Sequence, residues 1–128
     1  EENTKQRGET TMTIQDIMQL LPAELLTADA RLDTQVHNAC GSDMMSDVLA
    51  FVKDQAVLLT GLNNPQVVRT ADMMDMVCIV FVRGKRPSPE VLELAKQRGI
   101  AVLATRRTMF SACGILYQAG LRGGGGHD

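Results

Sequence analysis

Residues 56–105 read AVLLTGLNNPQVVRTADMMDMVCIVFVRGKRPSPEVLELAKQRGIAVLAT, in which three short apolar runs alternate with segments of helical character. The apolar runs are AVLLTG, VCIVFVRG and IAVLAT, and each ends in turn or polar residues. Runs that are apolar throughout, without a polar residue at every second position, are typical of strands covered on both faces, as in parallel sheets beneath crossover helices. The pattern therefore predicts an α/β domain.

The segments before residue 56 continue this pattern. TIQDIMQLL predicts a helix that Thr13 caps and Pro22 stops. AELLTA and TQVHNAC are interpreted as two further strands, and DMMSDVLAFVKD as a helix whose apolar positions include Met44, Val48 and Val52. The expected fold is thus a mostly parallel sheet of about five strands with helices on both faces.

Three connections in the second half of the chain carry signals for the start of a helix. Asn64 is expected to cap one helix with Pro65 as its first residue, and Ser88 and Pro89 form the same pair before the next helix. Thr108 is expected to cap the final helix. Because each connection follows a strand, all three belong at the carboxyl ends of the strands, where open parallel sheets bind ligands near helix N-termini.

Basic side chains are concentrated in two of these connections. Together with the helix N-termini, they predict a local anion site in a chain whose formal net charge is -2. The alternative interpretation is that they are solvated loop charges without a ligand. The residues predicted to bind a phosphate-bearing ligand are Thr60, Asn63, Arg83, Lys85, Arg106 and Arg107.

Composition excludes several classes of protein. A negative net charge argues against a general nucleic-acid binder, which needs a broad basic face. No apolar segment approaches the length of a membrane span, so no membrane association is expected. The three cysteines form no CxxC motif, which indicates a reducing cytoplasm and structural thiols such as Cys78 and Cys113.

The chain divides by composition into three parts. Residues 1–12 are expected to be a disordered leader or an engineered remnant, because they are polar and lack apolar periodicity. Residues 13–121 are expected to form one α/β domain. Residues 122–128 are expected to form a flexible Gly-rich tail.

Signatures of catalysis do not occur in the sequence. There is no Walker loop, no GxGxxG and no GxSxG motif, and the two histidines are His37 and His127. His37 has no second histidine or acidic residue at ligand spacing, so it is interpreted as structural or exposed rather than catalytic. We therefore expect no enzyme activity, no metal and no cofactor.

Several segments carry a resemblance to a known family. DMMSDVLAF, AVLLTG, and above all PSPEVLELAKQRGIAVLAT followed by Thr108, Met109 and Phe110, resemble the DRTGG domain over roughly residues 13–121. Such domains occur alone and within CBS-type inorganic pyrophosphatases. They are also similar to the N-terminal domain of HPr kinase/phosphorylase. The resemblance implies an α/β fold, a tendency to dimerise, and a regulatory rather than catalytic role.

The combined expectation is a non-catalytic regulatory module. It would be a homodimer that senses an adenine nucleotide or a related phosphate-bearing ligand. The alternative is an assembly or adaptor subunit that binds a larger protein complex without a small ligand. The Met-rich residues 71–76 fit either a core that lacks aromatic side chains or an adaptable interface.

Overall fold

The computed structural model of the chain describes residues 12–51 and 53–124. Its elements are, in chain order, β1 (Met12–Thr13), α1 (Ile14–Leu20), β2 (Glu24–Leu25), β3 (Gln35–Val36), β4 (Asn38–Gly41), α2 (Met45–Leu49), β5 (Ala56–Thr60), α3 (Pro65–Met73), β6 (Cys78–Phe81), α4 (Pro89–Gln97), β7 (Ala101–Ala104) and α5 (Met109–Gln118).

The main sheet has five strands in the order β2-β7-β6-β5-β4. The four strands β4 to β7 are parallel, and each lies beside the strand that follows it in the chain. β2 pairs antiparallel with β7 at one edge, where Glu24 lies opposite Ala104. β1 and β3 form a separate two-stranded sheet. The prediction of a mostly parallel sheet of about five strands is confirmed.

The sheet is covered by helices on both faces, as predicted. On one face, buried residues of α2, α3 and α4 pack against Leu58, Ile79 and Val102. On the other face, buried residues of α1 and α5 pack against residues that include Leu59 and Leu103. Leu58 and Leu59 therefore point to opposite faces, as successive strand residues do, and both are fully buried. Full burial of each such side chain stabilises the fold by about 1.5–3 kcal/mol.

The helix starts follow the predicted caps. Thr13 and Asp16 form a capping box, in which the Thr13 hydroxyl accepts from the Asp16 N–H at 3.2 Å and the Asp16 carboxylate accepts from the Thr13 N–H at 3.0 Å. Asn64, Ser88 and Thr108 cap α3, α4 and α5 through their side chains. These caps satisfy N–H groups that the first turn of a helix leaves without a partner.

The helix α2 is shorter than the predicted DMMSDVLAFVKD and spans only Met45–Leu49. The carboxylate of Asp43 is not used as a cap, because it accepts hydrogen bonds from the Thr60 hydroxyl at 3.0 Å and the Gly61 N–H at 2.7 Å. Met44, expected on the apolar face, is instead 61% exposed. Val52, also expected on that face, lies outside the described residues.

The ends of the described chain take part in the fold. Met12, placed by sequence in the leader, is buried and lies opposite Val36. Arg122, placed in the tail, forms a parallel bridge with Asn38, and its carbonyl accepts from the Ala39 N–H at 2.9 Å. The rest of the predicted leader and residues 125–128 of the predicted tail lie outside the described residues.

Sulfur-bearing side chains fill part of the core. Met74 and Met76 are buried, whereas Met73 is exposed. Cys78 is fully buried in β6, and burial raises the pKa of its thiol. Cys40 and Cys113 are half-buried, and all three cysteines are free. Within the described ranges, no helix has the length and apolar character that crossing a membrane requires.

Candidate functional site

The carboxyl ends of β6 and β7 meet the start of β2 in a cleft of about 710 Å³. The cleft lies at this edge because β2 runs antiparallel to β7, so that its first residue faces the last residue of β7. Three arginines and one glutamate contribute the charged part of the lining. The lining residues are Pro22, Glu24, Arg83, Gly84, Arg86, Ala104, Thr105 and Arg106.

A second cleft, of about 500 Å³, adjoins the first at the N-terminus of α5. The two clefts share Pro22, Thr105 and Arg106. The Thr108 hydroxyl caps α5 by accepting from the Ser111 N–H at 3.2 Å. The positive end of the α5 dipole therefore faces this cleft and favours an anion. Its lining residues are Leu21, Pro22, Thr105, Arg106, Arg107, Thr108 and Ser111.

Backbone hydrogen bonds tie the two basic loops together. The Arg83 N–H donates to the Arg107 carbonyl at 2.8 Å, and the Gly84 N–H donates to the Thr105 carbonyl at 2.9 Å. The Thr105 hydroxyl donates to the Leu21 carbonyl at 2.7 Å and accepts from the Arg107 N–H at 3.2 Å. These hydrogen bonds join the loop after β6, the loop after β7 and the residue that ends α1. They hold the backbones of Arg83 and Arg107 in fixed positions relative to each other.

The cleft carries an excess of positive charge. Arg86 donates to the two carboxylate oxygens of Glu24 at 2.9 and 3.4 Å, and this hydrogen bond lowers the pKa of Glu24. Glu24 therefore stays ionised and neutralises Arg86. Among the described residues, no ion pair involves the other four basic residues of the loops after β6 and β7, namely Arg83, Lys85, Arg106 and Arg107.

Arg83 is held in an unusual position. Its φ of 59° lies in the left-handed region, which non-glycine residues rarely adopt. Its Nη2 atom lies 3.2 Å from the point where a Cβ of Gly61 would be, and the Asp43 Oδ1 lies 3.6 Å from the same point. Gly61 therefore provides the space in which the guanidinium lies near the end of β5.

The structure brings three of the six predicted site residues into the clefts. Arg83 lines the larger cleft, Arg107 the smaller one, and Arg106 both. Lys85 is exposed in the same loop as Arg83 but lines neither cleft. The four cations lie together at the carboxyl ends of the strands, as their positions after β6 and β7 predict.

The other two predicted residues, Thr60 and Asn63, form hydrogen bonds within the protein. Thr60 is fully buried, and its hydroxyl donates to Asp43 and accepts from the Leu62 N–H at 3.2 Å. The Asn63 side-chain oxygen accepts from the Ser88 N–H at 2.9 Å, which links the loop after β5 to the start of α4. Both side chains therefore shape the loops beside the clefts.

Sequence reasoning missed the contribution of the β2 segment. Pro22 and Glu24 line the larger cleft only because β2 pairs with β7, about 80 residues away in the chain. Arg86 lies in the same basic connection as Arg83 and Lys85 but is not among the residues predicted to bind the ligand, and its partner Glu24 carries no local signal. The only feature of the sequence that pointed to this contribution was the prediction that AELLTA is a strand.

The opposite, amino-terminal ends of the strands have a different chemical character. A cavity of about 330 Å³ lies there between the 27–34 connection, the end of α4 and the start of β7. Its floor is apolar and includes Ile14 and Ile100, both buried. His37 lies beside Asp54, with 3.3 Å between its Nδ1 and the carboxylate, and lines neither basic cleft. Within the described residues, no cluster of His, Cys, Asp and Glu could hold a metal ion.

The chain resembles a solved structure. That structure contains the CBS and DRTGG domains of the regulatory region of Clostridium perfringens pyrophosphatase, complexed with the activator diadenosine tetraphosphate. The TM-score is 0.64 at 20% sequence identity, with 80% of this chain and 45% of that chain covered. The chain thus spans less than half of its structural neighbour, and the likeness establishes the fold.

Sequence comparison assigns the family. No curated protein matches the chain significantly. A sequence profile of the DRTGG domain matches residues 16–119, which include every strand of the main sheet, helices α2 to α5, most of α1 and both basic clefts. On this match, which extends over most of its length, the chain belongs to the DRTGG domain family.

Proposed function

We propose that the domain is a non-catalytic regulatory module, a homodimer that senses an adenine nucleotide or a related phosphate-bearing ligand in its basic clefts. In this proposal Arg83, Arg106 and Arg107 contact the phosphates, and Lys85 adds charge at the rim. Thr60 and Asn63 act by fixing the loops rather than by direct contact.

The observation that carries this proposal is the grouping of cations without counter-ions. The only arginine of the larger cleft with a carboxylate partner is Arg86, among the residues that the structure describes. Charge-assisted hydrogen bonds from arginine to phosphate are among the stronger polar contacts in proteins. A phosphate ligand would supply the ion-pair partner that Arg83, Arg106 and Arg107 lack among the described residues.

The structural neighbour supports the choice of ligand class. It is the regulatory region of a pyrophosphatase and is complexed with an activator made of two adenosines joined by four phosphates. Because this chain covers only 45% of the neighbouring chain, the adenine nucleotide is a proposal for this domain.

A thermal-shift series tests the proposal. AMP, ADP, ATP, diadenosine tetraphosphate and inorganic phosphate would be compared at matched ionic strength. A ligand that binds only the folded state raises the melting temperature, and the rise grows with the logarithm of the ligand concentration once that concentration exceeds the dissociation constant. We expect such a concentration-dependent rise with at least one nucleotide and a smaller rise with phosphate. The absence of any shift across the series would contradict the sensor role.

Matched arginine variants then locate the site. Arg106→Ala removes the cation shared by both clefts, whereas Arg69→Ala removes an exposed arginine from α3, away from the clefts. Loss of a charged hydrogen bond corresponds to about 1.5–3 kcal/mol, so we expect at least tenfold weaker nucleotide binding in Arg106→Ala. Equal affinities in the two variants would place the ligand elsewhere.

The non-catalytic part of the proposal has its own test. The clefts contain arginines, a glutamate already bonded to Arg86, and the hydroxyls of Thr105, Thr108 and Ser111. In the described part of the chain, none of these hydroxyls is hydrogen-bonded to a histidine or a carboxylate that could act as its base. Prolonged incubation with each nucleotide, followed by chromatography, should return the nucleotide unchanged. Product that forms in proportion to protein concentration, and is lost in Arg106→Ala, would identify an enzyme.

An assembly or adaptor role is the second candidate. It is favoured by exposed apolar side chains on several helices, among which Phe110 is 89% exposed. This role would leave all the nucleotides without effect on the melting temperature. Binding of one of them in the clefts would favour the sensor instead.

A further inference from the structure

The cavity at the amino-terminal ends of the strands has the size of a small-molecule site. Its volume of about 330 Å³ lies at the lower end of the roughly 300–1,000 Å³ that ligand pockets occupy. None of the residues that line it also lines either basic cleft, since the clefts lie at the carboxyl ends of the strands. A ligand of this cavity would therefore be small and separate from a nucleotide.

The connection between β2 and β3 forms one wall of the cavity and is held at both ends. At its start, the Val102 N–H of β7 donates to the Thr27 hydroxyl at 3.0 Å. At its end, the Ile14 N–H donates to the Thr34 carbonyl at 3.1 Å. Thr27, residues 29–31 and Thr34 line the cavity. Because both ends are bonded to the body of the domain, the cavity exists before a ligand binds, as is usual for ligand pockets.

The inner surface of the cavity is apolar. Ile14, Ile100 and Ala101 line it and are buried, with at most 4% of their surface exposed. Val77 and Ala30 are half-buried and add further apolar surface. Transfer of an apolar group from water onto such a surface is favourable. The ligand that fits this cavity thus carries an aliphatic or aromatic group.

The Thr27 hydroxyl supplies a hydrogen-bond donor beside this apolar surface. Thr27 is only 3% exposed, and its hydroxyl oxygen accepts from the Val102 N–H. Within the described residues, the hydroxyl proton has no acceptor. A buried donor without an acceptor is unfavourable, and few occur in native proteins. An acceptor on a ligand in the cavity, such as a carboxylate oxygen, would satisfy this donor.

Two charged side chains of the cavity also lack partners. Lys96, in the last turn of α4, and Asp29 both line the cavity, and no ion pair in the described part of the chain involves either of them. They therefore do not neutralise each other. The third charged residue of the lining, Arg31, is paired with Asp33 at 3.4 Å. The cavity thus offers one cation and one anion to a ligand.

The carboxyl end of α4 adds negative potential to the cavity. Gly99, which lines the cavity, lies two residues after the last residue of this helix. The C-terminal end of a helix carries partial negative charge on its last carbonyl groups and favours a cation. An ammonium group in the cavity would therefore be attracted both by Asp29 and by this helix end.

We propose that this cavity binds a small α-amino acid with an apolar side chain. The ligand's side chain packs on the apolar inner surface, its carboxylate contacts Lys96 and the Thr27 hydroxyl, and its ammonium group contacts Asp29. A fatty acid or a simple amine matches only one of the two unpaired charges and leaves the other without a partner. This site goes beyond the proposed nucleotide sensor and does not depend on it.

Ligand-observed NMR titrations test the ligand class. The probes are alanine, valine, leucine, isoleucine, methionine and phenylalanine, with glycine as the amino acid that lacks an apolar side chain. We expect saturable binding of at least one apolar amino acid and none of glycine. Analogues of that ligand without its amino or its carboxyl group should bind at least about tenfold more weakly, because each leaves one charge of the cavity unpaired. For leucine these analogues are 4-methylpentanoate and 3-methylbutylamine.

Two results of these titrations would overturn the proposal. One is a wild type that binds none of the amino acids. The other is an analogue with a single charged group that binds as tightly as the amino acid, since the cavity would then recognise an apolar anion or an apolar cation instead.

Variants of similar size but without charge locate the ligand. Lys96→Gln and Asp29→Asn should each weaken amino-acid binding by at least about tenfold, because each removes one of the two charged contacts. Lys53→Gln and Asp47→Asn are the matched controls, since both residues are exposed and neither lines the cavity. The controls should bind the amino acid like the wild type.

Ala30→Leu tests the cavity without a change of charge. The larger side chain would occupy part of the space that Ala30 lines. We expect weaker amino-acid binding together with an unchanged or higher melting temperature, and an unchanged response to nucleotides because the basic clefts are remote. Amino-acid binding that keeps its wild-type affinity in Ala30→Leu, Lys96→Gln and Asp29→Asn alike would place the ligand elsewhere and overturn the proposal.

Discussion

At the scale of single residues, the candidate site depends on Gly61. The nearest atoms to a Cβ at this position are the Arg83 Nη2 and the two Asp43 carboxylate oxygens. Gly61 has no positive φ, so its backbone accepts a side chain. Glycine is therefore favoured at position 61 by the space that the neighbouring side chains occupy, and not by its backbone angles. A larger residue there would displace the Arg83 side chain and leave the fold unchanged.

We predict that Gly61→Ala moves the Arg83 guanidinium with little loss of stability. Since the closest atom is the end of a flexible side chain, the free energy of unfolding should change by less than about 1 kcal/mol. ATP affinity should fall by about 3- to 10-fold, part of the effect of a lost charged hydrogen bond. Calorimetric titration and thermal denaturation measure the two quantities. Unchanged affinity would show that Arg83 does not contact the ligand.

Asp54 gives the fold a dependence on pH. Its carboxylate accepts from the Gln55 N–H at 2.6 Å and also contacts His37 and Asn38. The Gln55 hydrogen bond is the main reason that the pKa of Asp54 is lowered. A carboxyl with a lower pKa in the folded state stabilises the fold above its unfolded pKa, and this contribution is lost as pH falls through the folded pKa.

Asp54→Asn should therefore lose stability near neutral pH and not in acid. Because the side chain is partly exposed, we expect less than about 1 kcal/mol at about pH 7. Urea denaturation of wild type and variant over a pH series measures the difference. The curves should converge as pH falls below the folded pKa of Asp54. A difference that stays constant down to acid pH would mean that the charge is not responsible.

At the scale of helices and strands, the caps of the repeat are strong local signals. The Asn64 side chain accepts from the Gln66 N–H at 2.8 Å at the start of α3. Asn64→Ala should reduce the free energy of unfolding by about 0.5–2 kcal/mol, since it removes this bond. Asn64→Asp keeps an acceptor and is the control. Chemical denaturation of the three proteins gives the values, and equal stability of the Ala and Asp variants would refute the cap's contribution.

The sequence predicted those elements whose signals are local. Strands β5, β6 and β7 followed from apolar runs, and α3, α4 and α5 from a cap before an apolar pattern. The helix α2 was predicted at residues 43–54, which extends beyond the observed Met45–Leu49 at both ends. In the fold, Asp43 binds the end of β5 instead, through Thr60 and Gly61. Competition from residues distant in sequence cannot be deduced from the local pattern.

At the scale of the whole molecule, the positive charge of the clefts contrasts with the negative net charge of the chain. The net charge is -2, yet four cations without an ion-pair partner in the described part of the chain share one edge of the sheet. The position of this cationic edge was predictable, because parallel strands end together. The role of β2 was not, since its antiparallel pairing with β7 depends on the complete sheet.

Nucleotide affinity should therefore depend strongly on salt. Raising the ionic strength from about 0.1 M to about 1 M shortens the Debye length from about 10 Å to about 3 Å. We expect ATP binding to weaken severalfold over this range, and the dependence to be shallower in Arg106→Ala. Titrations at several NaCl concentrations provide the slopes. An affinity independent of salt would mean that contacts other than the exposed cations dominate.

The strand order has a consequence for how the protein is made. Because β4 to β7 follow one another across the sheet, their connecting helices all cover one face, and α1 and α5 must cover the other. During synthesis the chain emerges from its N-terminal end. Leu59 and Leu103 therefore stay uncovered by Leu116 until α5 has left the ribosome. Until then α1 alone covers this face, so the nascent sheet would expose apolar surface to which a chaperone could bind.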